Sequence, residues 1–442
     1  MKTFVCFFLR FTFLSVLLLS FPITDVYAQT ESNKALTLSE LMDEALRKNP
    51  DIIAARKRWE SAQAIIEARR ALPDPQFSYT YFIENVETRV GPQEQIFGLK
   101  QTFPFFGKRD LRADVAAKEA EALKESYEAL KSEVILQVKR TFYDLFYVSV
   151  IIDITQREKR LLKRFERIAS AKYQTGKGSQ QSILKVQVEI SKLNDKLLAL
   201  GNQRQTAEAR LNTLANQPPD RALKKPEQPR FKELVFQQQE LFQLAKENRP
   251  ELSAAKALIE KSEGSYKLAK KEYYPDLTVG ANYIEIDKGP LNVRDNGQDA
   301  FNIMLGINIP IWRGKLSSQA KSAFQMIHAQ NGQYQNTLNQ TLFEVKDNYF
   351  KTQTARETVK LYKNVLIPQA EQSLKSAEAG YITGIVSFLD LLDAERILLQ
   401  IQFGYWKAYT DYLKYIANLE RVVGIELVES PPKIDSTRKE QR

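Results

Sequence analysis

The chain is nearly without the residues that carry enzyme chemistry. Its 442 residues include one cysteine, Cys6, and one histidine, His328. A single cysteine allows no intrachain disulfide and no thiolate cage for a metal. A lone histidine in a helical run supplies no nucleophile and base pair, and reads as a surface or packing residue. The four methionines, Met1, Met42, Met304 and Met326, are scattered and form no soft-metal cluster. No phosphate-binding loop or dinucleotide glycine pattern is present. These absences predict a protein that is not an enzyme and binds no cofactor and no structural metal. Beyond the first residues there is also no apolar run of the ~20 residues that a spanning helix needs.

The N-terminus carries Lys2 and Arg10, an apolar run from Phe11 to Phe21, Pro22, and then Val26-Tyr27-Ala28. That is the layout of a cleaved signal peptide over residues 1–28. Cys6 lies inside it, so the exported chain is expected to hold no cysteine, including the one that lipid attachment near the cleavage point requires. The net charge of +10 is spread over helices that alternate Lys and Arg with Glu. A local basic segment, Arg221 to Lys232, is broken by Pro226 and Pro229. With no basic stripe and no interleaved stacking aromatics, nucleic acid is not an expected partner.

What is present is a duplication. Asn49-Pro50-Asp51 returns about 200 positions later as Arg249-Pro250-Glu251, a period too long for a solenoid unit. Leu72-Pro73-Asp74 returns as Tyr274-Pro275-Asp276, and Phe103-Pro104-Phe-Phe-Gly107-Lys108 as Ile309-Pro310-Ile-Trp-Arg-Gly314-Lys315. Tyr173-Gln-Thr-Gly176 returns as Tyr381-Ile-Thr-Gly384. The expected organisation is a first repeat over 29–216, a proline-rich linker over 217–235, a second repeat over 236–427 and a tail over 428–442. Each repeat reads as a short helix, a helix, two strands, a very long helix, a tip and a long helix. Strands are expected near 76–86, 95–104, 276–286 and 300–309, and tips near 173–179 and 380–387.

The helix from about Lys108 to Tyr173 would be roughly 100 Å long. Leu123, Tyr127, Leu130, Val134, Val138, Leu145, Val148 and Ile152 recur along it at steps of mostly three and four. One apolar stripe with charge elsewhere is the pattern of helices that pack as a coiled coil in water. At the second tip, Ala379, Gly380 and Gly384 are expected to bracket the break between helices. Ser387 is placed to cap the next helix. Asp390 and Asp393 follow at a spacing that puts both on one helix face.

The strand segments alternate. Phe77, Tyr79, Tyr81 and Ile83 face one way, and Ser78, Thr80 and Glu84 the other. Phe301, Ile303, Leu305, Ile307 and Ile309 repeat the pattern. Strands of about ten residues with one apolar side suit a transmembrane barrel, but on the strand pattern alone a soluble half-buried sheet is the commoner reading. Polar loops at Asn85–Glu94 and Asp287–Asp299 favour the barrel. Four strands cannot close on themselves, since the smallest barrels have about eight, so a membrane sheet would require several copies to pool their strands.

Together these residues resemble the TolC family of outer-membrane efflux factors, from Leu36 to about Leu427. Leu72-Pro-Asp-Pro-Gln-Phe-Ser, Glu87-Thr-Arg-Val-Gly-Pro and Gln101-Thr-Phe-Pro-Phe-Phe-Gly-Lys are similar to its heavy-metal-cation (CzcC/CusC-like) branch. The resemblance implies a mostly α protein with long antiparallel helical hairpins forming a periplasmic tunnel. It implies four β-strands per chain in a shared twelve-stranded barrel of a homotrimer. It further implies a periplasmic adaptor, an inner-membrane pump of the proton-driven RND type and outer-membrane lipid as partners. By that resemblance Tyr381, Asp390 and Asp393 form a pore gate, and Thr175, Gly176, Ser179, Thr383, Gly384 and Ser387 form tips that dock the adaptor. Without it, Asp390 and Asp393 also fit a solvated face, and the tip residues also fit ordinary turn chemistry. Where some members carry an arginine five residues after the tyrosine, this chain has Val386. The first-half counterparts of the two aspartates are Ser182 and Lys185.

The expected function is a passive exit duct for heavy-metal cations in a tripartite efflux system. A multidrug or type I secretion duct is the alternative within the family. A structural periplasmic coiled-coil protein is the alternative outside it.

Overall fold

The computed structural model describes residues 35–231 and 233–427. The expected signal peptide, Cys6 and the 428–442 tail lie outside the described residues. Nine α-helices and four strands make up the described part. Their order is α1 (Leu38–Lys48), α2 (Pro50–Arg70), β1 (Gln76–Thr88), β2 (Gly91–Phe103), α3 (Lys108–Gln174) and α4 (Gln180–Leu214). It continues with α5 (Gln238–Asn248), α6 (Pro250–Lys271), β3 (Leu277–Ile286), β4 (Ala300–Ile307), α7 (Arg313–Leu361), α8 (Ile367–Thr383) and α9 (Phe388–Val423). Among the described residues no helix is long and apolar enough to cross a membrane.

Local chemistry sets the element ends. Thr37 and Glu40 form a capping box on α1. Asn49 accepts from the N–H groups of Asp51 and Ile52 at the start of α2, and its amide donates to the Leu214 carbonyl at the end of α4, 3.0 Å away. Proline at the first position of α2 and of α6 starts each helix without losing an intrahelical bond. Between α7 and α8 the helix widens into one π-turn, Tyr362–Leu366. Pro368 follows it and has no N–H to donate to a carbonyl one turn back. The long second helix is therefore interrupted once on its way to the tip.

The strands form one antiparallel sheet in the order β1-β2-β3-β4, with β1 and β4 as its edges. The expected polar loop at Asn85–Glu94 is corrected here, because β1 runs to Thr88 and β2 begins at Gly91 around a turn at Arg89 and Val90. A register shift between Tyr81 and Val86 and the left-handed backbone of Gly91 (φ 128°) allow that tight return. A side chain at Gly91 would also strike the Asp287 carbonyl. At the other end β4 stops at Ile307, so Ile309 lies past the strand.

The main core lies where α1, α5, the 217–235 segment, α3 and α9 meet. Val138, Phe142 and Leu145 of α3 pack with Tyr409, Tyr412, Ile416 and Leu419 of α9, and with Leu41 and Leu241. The segment between the halves is tied down. Phe231 stacks on Tyr412 at 4.4 Å, the Leu234 N–H donates to the Tyr412 hydroxyl at 3.1 Å, and Leu36 bridges to Pro226. Nearer the sheet, the burial of α3 passes to Ala113, Ala116 and Ala120, while Leu123 and Tyr127 are only half-buried. There α6 approaches so closely that a methyl on Gly264 would sit 3.0 Å from Val115. Small side chains fill that seam, which a search for large apolar residues overlooks.

Candidate gate, tips and membrane sheet

Both tips are short turns between long helices. At the first, α3 ends at Gln174 with Thr175 as its cap, Gly176 takes a left-handed conformation (φ 70°), and the Ser179 hydroxyl accepts from the Ser182 N–H to cap α4. At the second, α8 continues through Ala379 and Gly380 to Thr383, and the break falls on Gly384 alone (φ 85°). Gly380 therefore does not bracket the break. It makes a notch in the helix, since a Cβ there would lie 2.4 Å from a Val386 methyl. Val386, in place of the arginine of some relatives, fills that notch.

The three residues expected at the gate separate into two environments. Tyr381 is 8 % exposed, in a cluster with Phe165, Phe388 and Leu391, its ring 5.3 Å from that of Phe388. Burial raises its hydroxyl above the ordinary tyrosine value. Lys172 of α3 lies 4.1 Å above the ring and donates to the Tyr381 carbonyl at 2.6 Å, joining the first tip to the second. Sequence reasoning missed Lys172, and its only signal is its place in the last turn of α3.

Asp390 closes a capping box. Its N–H donates to the Ser387 hydroxyl at 3.2 Å, and its carboxylate accepts from the Ser387 N–H and O–H. Asp393 is exposed, 3.8 Å from Arg396. The two aspartates do share a face. They line an open groove between α4 and α9 with Gln181, Lys185, Glu189 and Arg396. Lys185 and Arg396 place positive charge beside them, so the field at Asp393 is partly offset within the chain. Ion pairs also cross between hairpins. Arg164 of α3 meets Glu378 of α8, and Arg396 of α9 meets Glu189 of α4 at 3.1 Å.

A second feature below the tips had no sequence signal beyond its spacing. Glu395 of α9 is buried and hydrogen-bonds Glu158 of α3, and one oxygen of each is buried with no partner among the described residues. Burial first, then Glu158, then Glu189 push the Glu395 carboxyl up to about 10, against the opposing Arg396. Burial raises Glu158 as well. Burial of two carboxylates side by side disfavours ionising both. His328 of α7 packs edge-on against Phe324 at 4.8 Å.

The sheet has one apolar and one polar face. Register aligns Phe77, Leu99, Ala281 and Ile303 in one row, and Tyr79, Phe97, Tyr283 and Phe301 in the next. The intervening row is Ser78, Gly98, Asn282 and Asn302, with Asn282 donating to Asn302 at 2.9 Å. The apolar rows are exposed, Ile303 by 71 %. An exposed apolar sheet face of this extent is built for a partner or a lipid surface.

The sheet joins the helices through Lys108, the first residue of α3 and fully buried. Its ammonium donates to Asp276 at 2.9 Å, to the Tyr274 carbonyl at 3.0 Å and to Glu272 at 3.2 Å. Asp276 also accepts the Phe105 N–H at 2.8 Å, and the Phe105 ring stacks on Tyr274 at 4.6 Å. This junction fixes the end of β2 against the start of β3.

Glycine-ended helical hairpins joined to a small sheet with one exposed apolar face define a mostly helical protein built of long paired helices. The chain belongs to the outer membrane efflux protein family, whose profile matches residues 41–217 and 241–425. It is 22 % identical over 403 residues to the cobalt-zinc-cadmium resistance protein CzcC of Cupriavidus metallidurans, covering 89 % of this chain and 91 % of that one. Its fold matches the outer-membrane channel OprN with a TM-score of 0.76 at 17 % identity, over 88 % of this chain and 89 % of that chain. It matches CusC with a TM-score of 0.73 at 17 % identity, over 88 % and 92 %. The protein is thus an outer-membrane efflux channel that extends into the periplasm, and it is not an enzyme. Channels of this family act as trimers with an adaptor and an inner-membrane pump. The alternative of a purely structural coiled-coil protein falls with that membership.

Proposed function

We propose that this channel is the exit duct for heavy-metal cations, fed by an adaptor and a proton-driven pump of the RND type. The observation that carries the reading is the similarity to CzcC along nine-tenths of both chains. In it, residues 29–216 and 236–427 act as two repeats joined by the 217–235 linker. Three copies pool their strands into a twelve-stranded barrel with the apolar rows against lipid. The tip residues Thr175, Gly176, Ser179, Thr383, Gly384 and Ser387 meet the adaptor. Cargo selection rests with the pump and adaptor. A deletion strain grown on copper, silver, zinc, cobalt and cadmium beside detergents and antibiotics tests the cargo. Metal sensitivity restored by the intact gene is the expected result, and sensitivity to drugs alone assigns the duct to a general pump.

Asp390 and Asp393 are proposed as the acidic ring of the gate, repeated three times around a narrow throat. Single-channel recordings of the trimer carrying Asp390→Ala with Asp393→Ala are expected to show cation preference falling toward unity. Because Lys185 and Arg396 already offset part of the field, the loss is expected to be moderate. Unchanged selectivity would remove the assignment.

A further inference from the structure

The junction at Lys108 is built from sequence that occurs twice, yet the chain completes it only once. Lys108 follows β2 and reaches Asp276, which precedes β3, because β2 and β3 are neighbours. Their counterparts are Lys315, which follows β4, and Asp74, which precedes β1. These two lie at opposite edges of the sheet, and both are exposed with no ion pair among the described residues. The surroundings repeat as well. Where Phe105 and Tyr274 stack, the open copy leaves Ile311 and Trp312 at one edge and Leu72 at the other, with Trp312 74 % exposed. Exposed apolar side chains beside unpaired strand edges and unpaired opposite charges mark a half-built interface.

We propose that Lys315 of one copy pairs with Asp74 of the next, closing the same junction between subunits that Lys108 and Asp276 close within one. This rests on the pooled-barrel reading and adds its register. Carrying Phe103-Pro104 onto Ile309-Pro310 and Pro275-Asp276 onto Pro73-Asp74 transfers the observed β2–β3 pairing to β4 and the neighbour's β1. Gln101 with Val279, Leu99 with Ala281 and Phe97 with Tyr283 become Ile307 with Phe77, Leu305 with Tyr79 and Ile303 with Tyr81. Each of these three pairs is apolar on both sides and falls on the apolar face, while the alternating pairs, Gly306 with Ser78 and Met304 with Thr80, fall on the other. A slip by one residue would turn one strand's apolar side inward. The two junctions are not identical. Arg313 adds one residue before Lys315, and Glu272 is replaced by Arg70, so Lys315 has one carboxylate and not two.

The exported chain is expected to lack cysteine, which makes the test clean. A chain carrying both Asp74→Cys and Lys315→Cys should oxidise to covalently linked dimers and trimers, and neither single variant should. Charge supplies the second measurement. Asp74→Lys alone should lower the fraction of heat-resistant trimer by about tenfold or more, as like charges are brought together at each interface. Asp74→Lys with Lys315→Asp should restore it. A trimer that forms but neither cross-links at this pair nor is rescued by the swap overturns the register while leaving the pooled barrel in place. A wild-type protein that is monomeric in detergent overturns both.

Discussion

Replacing Lys108 by alanine is expected to destabilise each protomer by about 3 kcal/mol, the low end of the range for removing one partner of a buried ion pair. The ammonium is fully buried and serves two carboxylates and a carbonyl from the α6–β3 corner. Its loss leaves those acceptors facing one another at the joint between sheet and helices. The cost stays at the low end because Glu272 keeps Arg112 at 3.5 Å and Asp276 keeps the Phe105 N–H. Thermal unfolding of the purified protein measures it. A double-mutant cycle with Asp276→Asn should show strong non-additivity, and additive losses would mean the contact contributes little. The pH dependence follows from Asp276. Burial alone would raise its carboxyl, but Lys108 and the Phe105 N–H outweigh that and hold it below the usual value. A carboxyl lowered on folding stabilises the fold above its ordinary pKa of about 4, and that part is lost as the pH falls through the lowered value. The advantage of wild type over Lys108→Ala should therefore shrink on acidification below about pH 4.

Leu99→Arg is the second large effect. Leu99 lies in an inner strand, in the apolar row of Phe77, Ala281 and Ile303. With that row against lipid, an arginine near the bilayer midplane costs about 2–4 kcal/mol per copy, repeated in each subunit. The variant is expected to leave little assembled protein in the outer-membrane fraction. Asn302→Arg, on the opposite face, loses one side-chain hydrogen bond from Asn282 and should assemble at near wild-type level. Equal behaviour of the two variants would mean that the face assignment is wrong.

Much of the architecture could be read from local chemistry. The Asn49-Pro50 and Arg249-Pro250 corners, the glycine and serine pairs of the tips and the alternation in the strands each depend on residues within one or two turns. Gly176 and Gly384 adopt the left-handed conformations that their positions predicted, and Ser179 and Ser387 cap the helices that follow. The glycine at 380 was misread because glycine serves two purposes. At Gly384 it supplies a backbone angle, whereas at Gly380 it supplies room for Val386, and sequence spacing does not distinguish the two.

The sequence by itself determined the helix corners, the glycine tips and the alternation of the strands, though not the tight turn between β1 and β2. Tertiary structure alone decided which polar residues meet across distant elements. Lys108 and Lys315 sit in matching motifs, yet one is sealed among carboxylates and the other is open, because β3 lies beside β2 while β4 is an edge. Glu395 looks like one more helical surface charge, but α3 arrives from more than two hundred positions away with Glu158 and buries it. Backbone conformation follows from interactions between near neighbours along the chain. Burial and charge pairing follow from neighbours in space, and those are fixed only when distant helices pack.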